Sequence, residues 1–239
     1  MGREPWLHLG WRLRDYAAIG WWQAVALVSR ARPDELRADP GADTGPSPRV
    51  VVLLPGVYEP WRVLLPWARL LHRHGADVHV LPELGWNRAP IPATAARVGR
   101  YLVEHDLRDV TLVAHSKGGL IGKLAMLRED PDGRISDLIA VNTPFGGSRW
   151  ARYFLVGAVR AFRPADATIV ALAGEIDVNA RITSVHTFWD PHVPEGSELA
   201  GARDVVLETP GHFLPMTDPR LLDLLVERVR GRGGAAGPA

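Results

Sequence analysis

Residues 112–120 read LVAHSKGGL, and they give the clearest indication of the architecture of this chain. An apolar strand predicted over 109–114 runs directly into a helix predicted over 117–129, and Ser116 stands at the junction. Such a turn forces the serine into a strained backbone conformation and projects its Oγ above the sheet. Small residues are needed two positions before and after the serine, where Ala114 and Gly118 stand. The pattern indicates a serine nucleophile at the N-terminus of a helix, where backbone N–H groups stabilise a developing anion.

Short apolar runs and helical segments alternate on both sides of this junction. The run over 50–54 is apolar throughout and is stopped by Pro-Gly, as expected of a strand buried on both faces. Strands that alternate with helices predict an α/β fold with a mostly parallel sheet covered by helices on both faces. The predicted strands are 50–54, 76–81, 109–114, 136–141, 168–173, 181–188 and 204–207, and the predicted helices are 61–73, 92–105, 117–129 and 221–229.

Composition limits the classes of function. The chain has 239 residues, of which 46% are apolar and 23% charged, and these values favour one globular domain. Cysteine is absent, which excludes disulfides, thiolate metal sites and a cysteine nucleophile. The net charge of +1 gives no support for a nucleic-acid partner. Only two of the 28 basic residues are lysines, Lys117 and Lys123, and both belong to the helix that follows Ser116.

The N-terminal segment, residues 1–49, is predicted to be separate from the main domain over 50–230. It contains a helix over 15–30 and a Pro- and Gly-rich linker over 32–49, while residues 231–239 form a flexible tail. Its 13 uncharged residues, 16–28, are too few to span a bilayer, which needs about 20. Three interpretations stay open: a packing element, an interfacial anchor, or a signal peptide cleaved near residue 31. The expected location is cytoplasmic or peripheral to a membrane, or secreted if residues 1–31 are a signal peptide.

The junction at Ser116 resembles the nucleophile elbow of the α/β-hydrolase family, Gly-x-Ser-x-Gly. Ala114 replaces the first glycine, as in small bacterial lipases of the Bacillus type. The resemblance covers about residues 50–230, and the family's chain order of serine, acid and histidine then applies. His212 follows the last predicted strand, in the loop where the family carries its base. The resemblance therefore implies a catalytic triad completed by His212 and a carboxylate.

Two aspartates compete for the place of the acid. Asp190 follows the predicted strand over 181–188 and precedes Val-Pro, as in the family pattern. Asp177 follows the predicted strand over 168–173 but lacks the Val-Pro. The resemblance favours Asp190, with Asp177 as the alternative.

The second donor to an oxyanion is expected in the loop after the strand over 50–54. By resemblance to the His-Gly-x segment of lipases, Val57 donates its N–H, with Tyr58 as the fallback. Lys117 supplies the other N–H from the start of the helix. Since only its backbone takes part, the side chain of Lys117 is expected to be dispensable.

Two segments point to the substrate. Residues 143–148 resemble the lipase segment Thr-Pro-His-x-Gly-Ser, with Phe145 in place of the histidine. Residues 149–163 are predicted to form one amphipathic helix within a cap at about 148–167. Its arginines fall within an arc of about 80° on a helical wheel, and apolar side chains occupy the rest. The residues expected to bind substrate are Tyr58, Phe145, Trp150 and Phe154.

The predicted function is hydrolysis of a carboxylic ester through an acyl-enzyme, on a small-molecule or lipid substrate. Contact with a lipid interface is expected if the cap or the N-terminal helix reaches it. No cofactor is implied, and His186, Asp190 and His192 are not read as metal ligands because no His-Glu-x-x-His helix accompanies them. The alternatives are an acyltransferase or thioesterase with the same triad, a cofactor-free haloperoxidase-type perhydrolase, and a non-catalytic interaction protein.

Overall fold

The predicted parallel sheet is confirmed. The computed structural model describes residues 5–38, 48–153 and 157–231. Six strands pair in the order β2-β1-β3-β4-β5-β6, and every pair is parallel. The strands are β1 (Val50–Leu54), β2 (Asp77–Val80), β3 (Val110–His115), β4 (Ile135–Val141), β5 (Ile182–Thr187) and β6 (Arg203–Leu207). Because all strands run the same way, the loops that follow their carboxyl ends meet at one edge of the sheet.

Helices connect the strands and cover both faces of the sheet. Several begin with proline at the first or second position, where its missing N–H costs nothing. The α-helices are α1 (Pro5–Val28), α2 (Leu65–Arg73), α3 (Ile91–Glu104), α4 (Lys117–Leu124), α5 (Gly157–Arg160), α6 (Ala167–Gly174) and α7 (Pro219–Arg230). A π-helical turn, Ala125–Glu129, extends α4, so the helix predicted over 117–129 is confirmed.

The core has two halves, one on each face of the sheet, because successive side chains of a strand point to opposite faces. Val52 and Leu54 of β1 join the half that contains α3 and α4. Val51 and Leu53 join the half that contains α2, α7 and the buried face of α1. The strands are therefore apolar on both faces, which explains why they read as continuous apolar runs.

The strand predicted over 168–173 is wrong, since these residues belong to helix α6. Asp166 caps the helix, and its side chain accepts a hydrogen bond from the N–H of Thr168 at 2.9 Å. A short apolar run has no periodicity that separates a strand from a buried helical turn. The N-cap aspartate is the local signal that favours the helix.

The single helix predicted over 149–163 is also wrong in its described part. Residues Arg149–Tyr153 form a 3-10 turn, and α5 ends at Arg160. The N–H of Ser148 donates to the carbonyl of Phe162 at 2.7 Å, so the two ends of the segment meet. A straight helix of this length would hold its ends about 20 Å apart. The segment therefore folds back on itself as a compact cap.

Helix α1 begins ten residues before its predicted start at Asp15 and packs on the main domain. In its first half, Trp11 lies with its ring centroid 5.4 Å from that of Trp189. The described part of the predicted linker contains a 3-10 turn, Pro33–Leu36, in which Leu36 is buried. Within the described residues, no helix has both the length and the apolar character to cross a membrane.

Candidate active site

Ser116 lies between the end of β3 and the first residue of α4, at the carboxyl edge of the sheet. Its φ of 52° is in the left-handed region, which an L-residue other than glycine rarely adopts. A Cβ added to Gly118 would lie 2.2 Å from the carbonyl oxygen of Leu54, and one added to Gly119 would lie 2.0 Å from Oγ1 of Thr143. The helix thus approaches β1 and the end of β4 so closely that only glycine fits at these two positions.

His212 and Asp190 complete a chain of hydrogen bonds with Ser116. His212 Nε2 lies 3.0 Å from Ser116 Oγ, and His212 Nδ1 lies 2.7 Å from Asp190 Oδ2. His212 is on the loop between β6 and α7, and Asp190 is on the loop after β5. Since Asp190 Oδ2 accepts from Nδ1–H, the lone pair of Nε2 faces the serine hydroxyl. The arrangement can take the proton of Ser116 and hold the resulting imidazolium.

The electrostatic environment favours an ionised Asp190 next to a His212 ring that accepts a proton. Burial raises the pKa of Asp190, but the facing His212, the charge interaction with His192 and the backbone N–H of His192 outweigh it and lower the pKa below its usual value. Burial lowers the pKa of His212, but the carboxylates of Asp190, Asp15 and Glu59 outweigh it and raise the pKa above its usual value. Asp190 is therefore held ionised next to a ring that protonates readily.

The loop after β1 approaches Ser116 from the other side. Tyr58 has a φ of 59°, and the N–H of Val57 has no hydrogen-bond acceptor among the described residues. Glu59 shapes this loop from within, because its Oε2 accepts from the N–H of Gly56 at 2.7 Å. A Cβ added to Gly56 would lie 2.7 Å from Glu59 Oε1, so a larger residue there would displace the carboxylate from this position.

Glu59 and His115 form a buried pair that the sequence did not point to. His115 Nδ1 lies 2.8 Å from Glu59 Oε1, and His115 Nε2 lies 3.1 Å from the carbonyl oxygen of His212. A carbonyl only accepts, so His115 Nε2 is the donor to the carbonyl oxygen of His212. The residue before Ser116 thereby ties the loop after β1 to the backbone of His212.

The side chain of Lys117 is buried and has definite partners. Its Nζ donates to the carbonyl of Asn87 at 2.7 Å and to that of Ala89 at 2.5 Å. Asn87 has a positive φ of 46°, and its Nδ2 donates to the carbonyl of Pro55 at 2.7 Å. A chain of contacts therefore runs from Lys117 to the loop that carries Val57, which gives the side chain a structural role, while retention of activity without it stays a prediction.

A cavity of about 710 Å³ opens above Ser116 and His212. Its volume is in the range of sites that bind small molecules, and most of its lining is apolar. The lining comes from α1, the loop after β1, the cap and the loops that carry His192 and His212. Besides Ser116 and His212, it includes Tyr16, Ile19, Gln23, Val57, Tyr58, Trp150, Ala151, Val159, Phe162, Val193 and Phe213.

The residues predicted to bind substrate divide into three groups. Tyr58 and Trp150 line the cavity. Phe145 does not, because it is buried in the core next to the turn after β4, while its neighbour Pro144 reaches the cavity. Phe154 lies outside the described residues. Asp177 is exposed on the turn after α6, and Asp190, not Asp177, contacts His212.

Asp190, His192 and His212 each place one potential metal-ligating atom within 4.8 Å of the others. The hydrogen bonds already described engage both ring nitrogens of His212 and both oxygens of Asp190. His192 Nε2 lies 3.2 Å from the hydroxyl of Tyr16. The side chains of all three residues therefore take part in hydrogen bonds or close polar contacts with other described residues.

Neither a scan of protein-family models nor a search of curated proteins finds a match for this chain. Solved structures do match it. It is similar to the mature form of the lipase BlEst2 from Bacillus licheniformis, with a TM-score of 0.61 and 16% identity over 79% of this chain and 96% of that one. It is also similar to a monoacylglycerol lipase from Paleococcus ferrophilus, with a TM-score of 0.56 and 14% identity over 74% of this chain and 94% of that one. An extracellular α/β-hydrolase from a Paenibacillus species gives a TM-score of 0.54 and 16% identity over 76% of this chain and 99% of that one.

The two lysines of the chain offer a matched test of the Lys117 contacts. Both are buried, and burial lowers the pKa of each to about 8, but Lys123 makes no hydrogen bond to a described residue. Lys117→Met should lower the free energy of unfolding by about 1–3 kcal/mol relative to Lys123→Met, because it leaves buried carbonyls without a donor. Urea unfolding at pH 7 measures the difference. Equal stability of the two variants would contradict a role for the Lys117 side chain in holding the loop.

Proposed function

We propose that this chain, which has the α/β-hydrolase fold, is a serine hydrolase that cleaves carboxylic esters through an acyl-enzyme. The observation that carries the proposal is the hydrogen-bonded series of Ser116, His212 and Asp190, of which Ser116 and His212 line an apolar cavity. A buried serine in a left-handed conformation, paired with a histidine and a carboxylate, fits covalent catalysis better than a binding role. The lipases among the structures of similar fold are consistent with this reaction class.

In the first half of the proposed reaction, Ser116 Oγ attacks the ester carbonyl carbon while its proton moves to His212 Nε2. The carbonyl oxygen becomes an oxyanion, which accepts hydrogen bonds from the N–H groups of Val57 and Lys117. The bond to the alkoxy group then breaks, and His212 returns the proton to the departing alcohol. The acyl group stays on Ser116.

In the second half, water replaces the alcohol. His212 removes a proton from water while the water oxygen attacks the acyl carbon. The proton then passes to Ser116 Oγ as the carboxylic acid leaves. Throughout, Asp190 holds the tautomer of His212 and stabilises the imidazolium. The backbone N–H groups of His192 and Val193 keep the carboxylate in place, at 2.7 and 3.1 Å from its Oδ1.

A fluorophosphonate probe tests this assignment. The probe should label the wild-type chain and fail to label Ser116→Ala, because only an activated serine reacts with it. Asp190→Asn should reduce the labelling rate about a thousandfold or more, whereas Asp177→Asn should leave it unchanged, since Asp177 is exposed and Asp190 contacts His212. If the wild-type protein folds but takes no label, the assignment as a serine hydrolase is refuted. If Asp177→Asn has a strong effect and Asp190→Asn has none, the assignment of Asp190 as the acid of the triad is refuted.

The apolar cap wall favours an acyl chain as the group bound beside Ser116. Phe162 is buried and lines the cavity, whereas Tyr153 of the same cap is 62% exposed and does not. Phe162→Ser should lower kcat/KM for a long-chain p-nitrophenyl ester about tenfold more than for the acetate, because only the long chain reaches this wall. Tyr153→Ser is the matched control. An equal loss on both esters would count against an acyl pocket under the cap.

The outer face of α1 supports a further part of the proposal, that the ester is presented at an anionic lipid surface. Trp21 is 68% exposed and Leu13 64%, and they lie on the same helix as the cavity-lining Ile19 and Gln23. Arg12 and Arg14 are the exposed ionised side chains within the described α1, since Asp15 is buried. An apolar helix face flanked by arginines is typical of helices that lie in a lipid interface.

Co-sedimentation with vesicles of phosphatidylglycerol and phosphatidylcholine tests this surface. The double variant Leu13→Ser, Trp21→Ser should bind about tenfold more weakly, because two exposed apolar side chains no longer enter the interface. Its activity on soluble acetate ester should be unchanged. Val103→Ser removes an exposed apolar side chain from α3 and serves as control. If the wild-type protein does not bind these vesicles, an anionic lipid surface is not the partner of α1. If the wild-type protein forms a dimer that the double variant abolishes, the partner is a second copy of the chain.

A further inference from the structure

Helix α1 contacts each of the three loops that carry the proposed site. The side chain of Gln23 donates to the carbonyl of Tyr58 at 3.2 Å, on the loop after β1. The hydroxyl of Tyr16 lies 3.2 Å from His192 Nε2, on the loop that carries Asp190. Asp15 reaches the loop that carries His212. The N-terminal segment is therefore part of the architecture of the site, although it precedes β1.

Asp15 is the deepest of these contacts. Its side chain is fully buried, and it accepts hydrogen bonds from the backbone N–H groups of three successive residues. Oδ2 accepts from His212 at 3.0 Å, and Oδ1 accepts from Phe213 and from Leu214 at 2.8 Å each. A carboxylate that accepts several backbone N–H groups is strongly held, and it holds the backbone in return.

The fit between Asp15 and this loop leaves no free space. Gly211 has a φ of 123°, which L side chains rarely adopt, and a Cβ added there would lie 2.4 Å from Asp15 Oδ1. The carboxylate therefore occupies the place where any other residue at 211 would carry its side chain. The Pro-Gly-His sequence at 210–212 therefore leaves space that the carboxylate of Asp15 fills.

The other side of the His212 peptide is held as well. Its carbonyl oxygen accepts from Asn142 Nδ2 at 2.9 Å and from His115 Nε2 at 3.1 Å. His115 ends β3 and Asn142 directly follows β4, while among the described residues Asp15 supplies the acceptor for the N–H. The backbone of the general base is thus fixed between the sheet and α1, and its ring can then meet Ser116 and Asp190 simultaneously.

We propose that Asp15 is a positioning residue for His212, which fixes the loop of the base and places a negative charge beside it. This inference rests on the proposed function of Ser116, Asp190 and His212. Small displacements of a catalytic group cost large factors in rate, so the three backbone contacts of Asp15 bear directly on turnover. The role is indirect, since Asp15 contacts the backbone of the base and not the reacting atoms.

The charge of Asp15 gives the role a measurable signature. The carboxylates of Asp190, Asp15 and Glu59 raise the pKa of His212 against the effect of burial. When one of these negative charges is removed, the imidazolium form of His212 is less stabilised, and the pKa of His212 falls. The acidic limb of kcat/KM, where the protonated base is inactive, then moves to lower pH. The groups that face His212 in this way are Asp15 from α1, Glu59 from the loop after β1, His115 from β3, and Asp190 and His192 from the loop after β5.

Asp15→Asn tests the proposal, with Asp218→Asn as the matched control. Asp218 is also a buried carboxylate that accepts a backbone N–H, but it caps α7 and does not touch His212. In Asp15→Asn the amide places a donor against one of the loop N–H groups, so kcat for p-nitrophenyl acetate should fall about tenfold or more, with little change in KM. The His212 ring, followed by NMR with ¹⁵N-labelled histidine and assigned by His212→Gln, should titrate at lower pH than in wild type.

The control separates positioning from general stability. Asp218→Asn should lose stability in thermal unfolding yet keep the wild-type kcat and His212 titration. If Asp15→Asn behaves in the same way, the proposal is overturned. Should Asp15→Asn fail to fold, Asp15→Ser takes its place with the same expected and overturning results, since serine keeps an acceptor without the charge. A wild type that hydrolyses no ester would defeat the proposed function alone, because the titration still decides the role of Asp15.

Discussion

Helix α4 packs so closely on β1 that the Gly118 position lies against the carbonyl of Leu54, with no room for a Cβ. The rest of the site depends on this close approach. It holds Ser116 in its left-handed conformation and brings the first N–H of α4 beside the loop that leaves β1. Because the sheet is parallel, the loops that carry Asp190 and His212 reach the same edge. The backbone conformation of Ser116 is therefore fixed by packing, and the loops that carry Asp190 and His212 meet it at the same edge of the sheet.

Buried polar side chains position the loops of the site through hydrogen bonds to backbone groups. Lys117 holds the Asn87–Ala89 stretch, Glu59 and His115 join the loop after β1 to His212, and Asp15 secures the N–H groups of the histidine loop. Each such group is costly to bury unless its hydrogen bonds are made, so a displaced loop would leave charges or carbonyls unsatisfied. The same contacts that satisfy these groups thereby make the loops rigid, which is the condition for a preorganised site.

Much of the fold was predictable because its signals are local. The alternation of apolar runs and helices, the Pro-Gly stop after β1 and the small residues around Ser116 are all read within a few positions. The errors arose where local signals are ambiguous. The run over 168–173 is apolar enough for a strand but follows an N-cap aspartate. The described residues of 149–163 do not continue one straight helix, because the N–H of Ser148 bonds to the carbonyl of Phe162. Phe145 is buried in the half of the core that contains α3 and α4, which its motif could not indicate.

The layered α/β architecture and the place of Ser116 at a strand–helix junction follow from local sequence, since strand, turn and helix propensities act over short distances. The contact of Asp190 rather than Asp177 with His212, the hydrogen bonds of the Lys117 side chain and the contacts of α1 with the site follow only from the packed structure. Asp15 and His212 are separated by 197 positions. No periodicity or motif encodes such a pair, because its partners are brought together only when the sheet, the loops and α1 have packed. The first helix, for which packing was one of three interpretations open from the sequence, contacts the loops of the site through Asp15, Tyr16 and Gln23 once the chain has folded.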